Sequence, residues 1–356
     1  MLEDFRQRMT GKVQTVLGPI APEALGVTLM HEHILIHMAH IACVPADQAR
    51  AAAYHAPLCL EVLSGIRFGG LTNRDNCTLA DHEVAIAELG RYRAAGGRSV
   101  VDATSLGIGR DPEGLAQIAR ATGLNIVMGC SYYVEQTHPA SHRVAESSVE
   151  ELAERIVAEL VSGVDGTGIR PGLIGEVGCS WPLAASEITV LRASAQAQRA
   201  TGAPLMIHPG RDSSAPFAIV DVLAEAGADL SRTVMCHVDR TLADPAALRR
   251  LAETGCIVEF DLFGYEGSYY AWDLPVDMPN DAARVNLLAG LIEAGFARQI
   301  TISHDICFKD KLVRYGGQGY SHILENVVPL MRRKGLDEDT VRTMLVDTPR
   351  RLLSFA

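Results

Sequence analysis

The chain has 356 residues, 48% hydrophobic and 21% charged, a globular composition with enough apolar material for a large buried core. Its formal charge of -11 at pH 7 gives no net attraction for a polyanion, and the one basic run, Arg332-Arg333-Lys334, is followed by Asp337, Glu338 and Asp339, so no nucleic-acid partner is expected. The segment Met1 to Gly11 lacks the apolar stretch of a signal peptide, no apolar run is long enough to cross a bilayer, and the eight cysteines show no CxxC pair, which together predict a cytoplasmic protein with reduced thiols and no membrane partner.

Short apolar runs alternate with amphipathic stretches, as expected for βα units around a parallel sheet. In chain order the pattern predicts a strand at Leu25–His33, a helix at Leu79–Ala95, a strand at Arg98–Thr104, a helix at Pro112–Thr122 and a strand at Asn125–Ser131. A helix at Ser148–Leu160, a strand at Gly172–Gly178, a helix at Ser186–Thr201, a strand at Ala203–His208 and a helix at Pro216–Ala226 follow. The series closes with a strand at Thr233–His237, a helix at Pro245–Thr254, a strand at Cys256–Asp261, a helix at Ala282–Ala294 and a strand at Gln299–Asp305. Glycines such as Gly123, Gly202 and Gly255 stand where helix C-caps are needed. Eight strands in this alternation predict an α/β fold, a (β/α)8 TIM barrel, with residues 1–356 as one domain. Residues 34–76 mix His, Pro, Ala and Gly without a steady period and read as an insertion over the barrel mouth.

Residues able to bind a metal stand at the C-terminal ends of five of these strands: His31 and His33, Glu176, His208, His237 and Asp305. Barrel enzymes keep their active sites on that face. Residues i and i+2 of a strand share a side, so His31 and His33 both point into the barrel and Glu32 points away. Any one of these histidines could be a hydrogen-bonded core residue. Several at the ends of apolar strands would be costly to bury unless a cation compensates. Imidazoles with carboxylates suit zinc, with manganese, iron, cobalt or nickel as other fits. Two divalent ions are expected, His31, His33 and Asp305 on one, His208 and His237 on the other, with Glu176 bridging. Water held between them would act as hydroxide, with Asp305 as proton acceptor.

Arg211 follows His208 on the same loop and could hold an anionic substrate group, or pair with Asp212 or Glu225 on the surface. Tyr132, Tyr133 and Tyr265, with Tyr269, Tyr270 and Trp272, cluster after the third and seventh strands and are candidate pocket walls. His304, beside Asp305, should face outward. His138 and His322 are within reach of a mouth-side pocket, and Asp239 with Arg240 reads as an ion pair ordering the sixth loop.

The order HxH, Glu, His, His, Asp resembles the amidohydrolase superfamily. The segments Leu29-Met30-His31-Glu32-His33 and Ile174-Gly175-Glu176-Val177-Gly178, and the tail from Gly316 to Pro349, resemble the phosphotriesterase family. Gly178-Cys179-Ser180-Trp181-Pro182-Leu183 and Ile207-His208-Pro209-Gly210-Arg211 look like its phosphotriesterase-related members. The resemblance implies a homodimeric hydrolase that cleaves a small amide, of the N-acyltaurine or N-acyl amino acid kind, as the N-acetyltaurine-cleaving animal members do. Lactone or carboxylic ester hydrolysis is the alternative, and phosphoester hydrolysis or a TatD-type metal-dependent DNase lies further off. Glu176 stands where the organophosphate-hydrolysing branch has a carbamylated lysine, and Leu262 where it has a proton-relaying histidine, which argues against phosphotriesters.

Overall fold

The computed structural model describes residues 2–42, 44, 46–67, 72–270 and 276–356; Cys43 and Trp272 fall outside them. All eight expected strands form. They are β1 (Thr28–Glu32), β2 (Ser99–Asp102), β3 (Asn125–Cys130), β4 (Leu173–Gly178), β5 (Leu205–His208), β6 (Thr233–Met235), β7 (Ile257–Phe260) and β8 (Ile300–Ile302). Each pairs in parallel with the next. The ring closes where Asp305 N–H donates to His31 O at 3.1 Å.

The helices follow from local signals. Asp81, Asp111, Ser148, Asp244 and Asn280 cap the N-termini of α1 (His82–Ala94), α2 (Pro112–Thr122), α3 (Val149–Ser162), α6 (Pro245–Glu253) and α7 (Asp281–Glu293) through their side chains. Between α3 and α6 lie α4 (Ala185–Thr201) and α5 (Ala215–Glu225). Gly123 and Gly202 end α2 and α4 in the left-handed conformation, at φ 66° and 75°. Two apolar layers result. Val101, Val127, Leu173, Met206, Val234 and Ile257 form a cluster that fills the barrel interior. Val100, Ile126, Ile174, Leu205, Val258 and Ile300 belong to the larger cluster beneath the helices.

The segment predicted as an insertion carries more regular structure than its composition implied. Ile36–His37 pairs with Thr78–Leu79, and helices form at Gln48–His55 and Leu60–Arg67. The Gly316–Gly319 run is explained by packing. A Cβ on Gly317 would lie 2.1 Å from Lys311 backbone carbon, and Gly319 has φ +70°. None of the seven cysteines among the described residues is in a disulfide.

Glu32 points away from the site, as strand alternation requires, and fastens the closure between β8 and β1. Its carboxylate accepts from Ser303 Oγ (2.8 Å), His304 N (3.0 Å), His304 Nδ1 (2.6 Å) and Ile306 N (3.0 Å). His304 faces outward too, and its Nε2 accepts from Ile323 N at 3.1 Å. Glu32→Ala leaves four buried donors without an acceptor, and should cost about 3 kcal/mol or more in urea denaturation. A variant within about 0.5 kcal/mol of the parent would contradict this role.

Candidate metal centre and its pocket

At the C-terminal ends of the strands the regular alternation breaks, and the break is what assembles the site. The β1–β2 register shifts between Leu29 and Glu32, so that His31 faces inward directly after the interior residue Met30. A second shift, between Ile174 and Val177, turns Glu176 inward. His237 and Asp305 follow their strands with left-handed backbones, φ 54° and 50°. Such strain costs on the order of 1–3 kcal/mol per residue and is held by the surroundings. His237 N–H is fixed by Asp261, at 3.0 Å to Oδ2.

All six expected donors converge. His31 Nε2 lies 3.5 Å from Glu176 Oε2 and 3.7 Å from Asp305 Oδ1. His33 Nε2 lies 3.4 Å from Glu176 Oε1 and 3.2 Å from Asp305 Oδ1. On the other side, His208 Nδ1 and His237 Nε2 stand 3.2 and 3.5 Å from Glu176 Oε2, and 2.9 Å from each other. Among the described residues, Glu176 is thus the one group that reaches all four imidazoles.

The outward ring nitrogens are occupied, which frees the inward ones for a cation. His31 Nδ1 donates to Glu259 at 3.2 Å, and His237 Nδ1 to Asp261 at 2.8 Å. His33 Nδ1 lies 2.9 Å from Thr104 Oγ1. Buried His31 Nε2, facing two carboxylates, has no hydrogen-bond partner. A lone pair in that setting fits a Lewis acid better than a hydrogen bond, and imidazole with carboxylate donors fits a divalent transition metal.

The charges depend on one another. Burial pushes Glu176 up, but His31 and His208 outweigh it and hold the carboxyl well below its usual range. Burial lowers His33, yet hydrogen bonds to Asp305 and Glu176 raise it to about 9. His208 moves the other way, down to about 3, because burial is reinforced by His237 and Arg240.

Above the cluster opens a cavity of about 670 Å3, lined among others by Tyr133, Trp181, Arg211, Arg240, Tyr265, Tyr270 and Asp305. Met38 and Ile41, from the insertion, also line it. Arg211 lines the cavity, with Nε donating to Tyr270 Oη at 3.2 Å. Tyr133 Oη is 3.2 Å from His208 Nδ1, and Tyr265 Oη donates to Asp305 O at 2.8 Å. Tyr132 is directed elsewhere, its hydroxyl 3.1 Å from His142 Nδ1, and does not line the cavity. Neither does His322, whose Nε2 donates to Asp281 at 2.7 Å, nor His138, which bonds Tyr133 O at 2.8 Å.

The expected Asp239–Arg240 pair is not formed. Asp239 accepts from Arg284 Nε at 2.7 Å and from Leu262 N at 3.1 Å, while Arg240 turns to the cavity wall beside His208. The two neighbours lie on one short helix, Val238–Thr241, where adjacent residues project about 100° apart and do not meet. Sequence reasoning also passed over Glu259. Its signal was present, a carboxylate two residues from Ile257 and from Asp261 on the inward side of an otherwise apolar strand.

Residues 11–353 match the Phosphotriesterase family. The chain belongs to this family. It is 45% identical to an N-acetyltaurine hydrolase of Xenopus tropicalis, over 98% of this chain and 99% of that one. The human N-acetyltaurine hydrolase is 42% identical, with the same coverage. Among solved structures, a resiniferatoxin-binding protein from Rhodobacter sphaeroides superposes with a TM-score of 0.92 at 40% identity, over 97% of this chain and 95% of that one. The lactonase Lmo2620 from Listeria monocytogenes gives 0.78 at 25% identity, over 97% and 99%. The closed barrel is therefore the TIM barrel of phosphotriesterase-like proteins.

The donor arrangement predicts that Glu259→Ala weakens divalent-metal binding by about 10–100-fold in a chelator competition, because His31 loses the partner that orients its ring. Joint His31→Ala and His33→Ala substitution removes the imidazoles of one proposed ion and should clearly lower transition-metal content in elemental analysis. Undiminished metal in the double variant would refute the assignment.

Proposed function

We propose that this phosphotriesterase-family protein is a metal-dependent hydrolase of small-molecule amides of the N-acyltaurine or N-acyl amino acid type. The observation that carries the reading is the convergence of six donor side chains, with His31 Nε2 buried and unpartnered, at the floor of a cavity walled by arginine and tyrosine. The N-acetyltaurine hydrolases similar over nearly the whole chain support the amide.

His31, His33 and Asp305 would hold one divalent cation and His208 and His237 another, with Glu176 reaching both; bound there, the pair supplies Lewis acidity towards a carbonyl oxygen and acidifies water. Zinc is the proposed metal. Asp305 takes up the proton of the attacking water. Its Oδ1 is engaged by His33, which leaves Oδ2, on a side chain 15% exposed to the cavity, to carry the proton to the leaving nitrogen. Tyr265 and the barrel closure fix the Asp305 backbone through its carbonyl and its N–H. Arg211 faces the cavity from the β5 loop, where it would orient an anionic substrate group, with Tyr133 and Tyr265 as further walls.

The lactonase neighbour favours lactone hydrolysis as a second reading, since the same groups act on either carbonyl. Phosphotriester cleavage fits less well. Leu262 follows Asp261 where the organophosphate-hydrolysing branch has a proton-relaying histidine, and Glu176 stands in place of its carbamylated lysine. No helix among the described residues is long and apolar enough to cross a membrane, and the unpaired cysteines accord with a cytoplasmic location. We propose a homodimer of single-domain chains that binds neither nucleic acid nor membrane.

A hydrolysis panel of N-acetyltaurine, N-acetyl amino acids, γ- and δ-lactones and a short DNA duplex tests the reading on zinc-loaded protein. Amides should be cleaved with the highest kcat/KM and the duplex left intact. Asp305→Asn should lower kcat by about 10²–10⁴-fold. Robust duplex cleavage, or activity on lactones alone, would overturn it.

A further inference from the structure

The cavity above the cluster has two chemically different sides. The loops after β5, β6 and β7 present Arg211, Arg240 and Tyr270. Both guanidiniums lie over the Tyr270 ring, 5.7 and 5.5 Å from its centroid. Arg240 is only 4% exposed. Its Nη2 donates to Pro209 O at 3.1 Å and lies 3.4 Å from His208 Nε2, and its Nη1 donates to Thr241 Oγ1 at 3.2 Å.

Among the described residues no carboxylate lies within ion-pair distance of Arg240. A buried guanidinium held by these neutral acceptors and aimed at a cavity still favours a counter-charge there. An anion entering the cavity meets that need.

The loops after β1 and β8, adjacent in the closed barrel, present Met38, Ile41 and Phe308 instead. The whole space is about 670 Å3. N-acetyltaurine has about ten non-hydrogen atoms, which at close-packed density occupy roughly 200 Å3. Most of the cavity, including its apolar side, stays empty around so small a molecule.

Building on the amide reading, we infer that the pocket is made for amphiphilic amides: a sulfonate or carboxylate head held by Arg240 and Arg211, and an acyl chain longer than acetyl lying along Met38, Ile41 and Phe308. Arg240 abuts His208, so a head group on its guanidinium and a carbonyl at the cluster are separated by the span of a short linker. The chain then runs along the apolar side, towards the β1 and β8 loops. In this arrangement Arg240 fixes which end of the substrate is which, and the apolar side sets acyl length.

Alkanesulfonates and alcohols are stable to hydrolysis, so they probe the pocket independently of the reaction. Calorimetric titration of the metal-loaded protein should show 1-octanesulfonate binding at least roughly tenfold tighter than ethanesulfonate, through the buried methylenes. It should also bind at least roughly tenfold tighter than 1-octanol, through the charge. Arg240→Gln should collapse the sulfonate-to-alcohol ratio and keep the chain-length ratio, with Arg240→Lys recovering part of the former. Met38→Asp should collapse the chain-length ratio. Equal binding of the short and long sulfonates, or a charge preference untouched by Arg240→Gln, would overturn the proposal. N-octanoyltaurine and N-acetyltaurine complete the test as substrates. Both ligand preferences without any amide cleavage would sink the hydrolase reading and leave the pocket assignment standing. Cleavage of N-acetyltaurine with neither preference would do the reverse.

Discussion

Four buried imidazoles crowd against the buried Glu176 carboxylate and the partly exposed Asp305 carboxylate at one end of an apolar barrel, and the rest of the structure answers to that constraint. Ionisable groups removed from water destabilise a fold unless their charges and hydrogen bonds are met. Here the six meet one another through Glu176 and Asp305, and three of the imidazoles are oriented from behind by Glu259, Thr104 and Asp261. Their geometry leaves His31 Nε2 as a donor atom with nothing opposite it but carboxylate oxygen. A site built for cations explains why such an arrangement is tolerated in a core.

Holding the cluster requires a frame that resists its strain. Glu32 gathers donors from the segment after β8 and thereby locks the closure on which His31, His33 and Asp305 all depend. On the opposite side fully buried Arg284 joins Asp239, Asp281 and the Tyr265 carbonyl, tying the β6 and β7 loops to α7. Both are charged networks placed just outside the reacting space. Their directional hydrogen bonds define positions in a way that apolar contacts do not.

The sequence discloses most of this through periodicity and strand-end chemistry. Every barrel strand lies within a predicted run, and the six donors are legible because each ends an apolar segment. Alternation alone would have misplaced Glu176, since Leu173 faces inward and a residue three further on should face out; only the register shift corrects it. Partner choice was the harder problem. Asp239 and Arg240 are neighbours in sequence but not across a helical turn, so each finds a remote partner that spacing does not reveal. Tyr132 and Tyr133 show the same limit, one turned to His142 and the other to His208. The helices within 34–76 escaped because they are short and pack through contacts made elsewhere in the fold.

In the function proposed above, Glu176 joins two cation sites in one chain. Electron paramagnetic resonance of the protein titrated with manganese(II) tests it directly. A spin-coupled pair, with its characteristic multiline spectrum and close to two ions per chain, is the predicted result, and Glu176→Ala should convert it to uncoupled ions. A spectrum of isolated manganese at every loading would contradict the account.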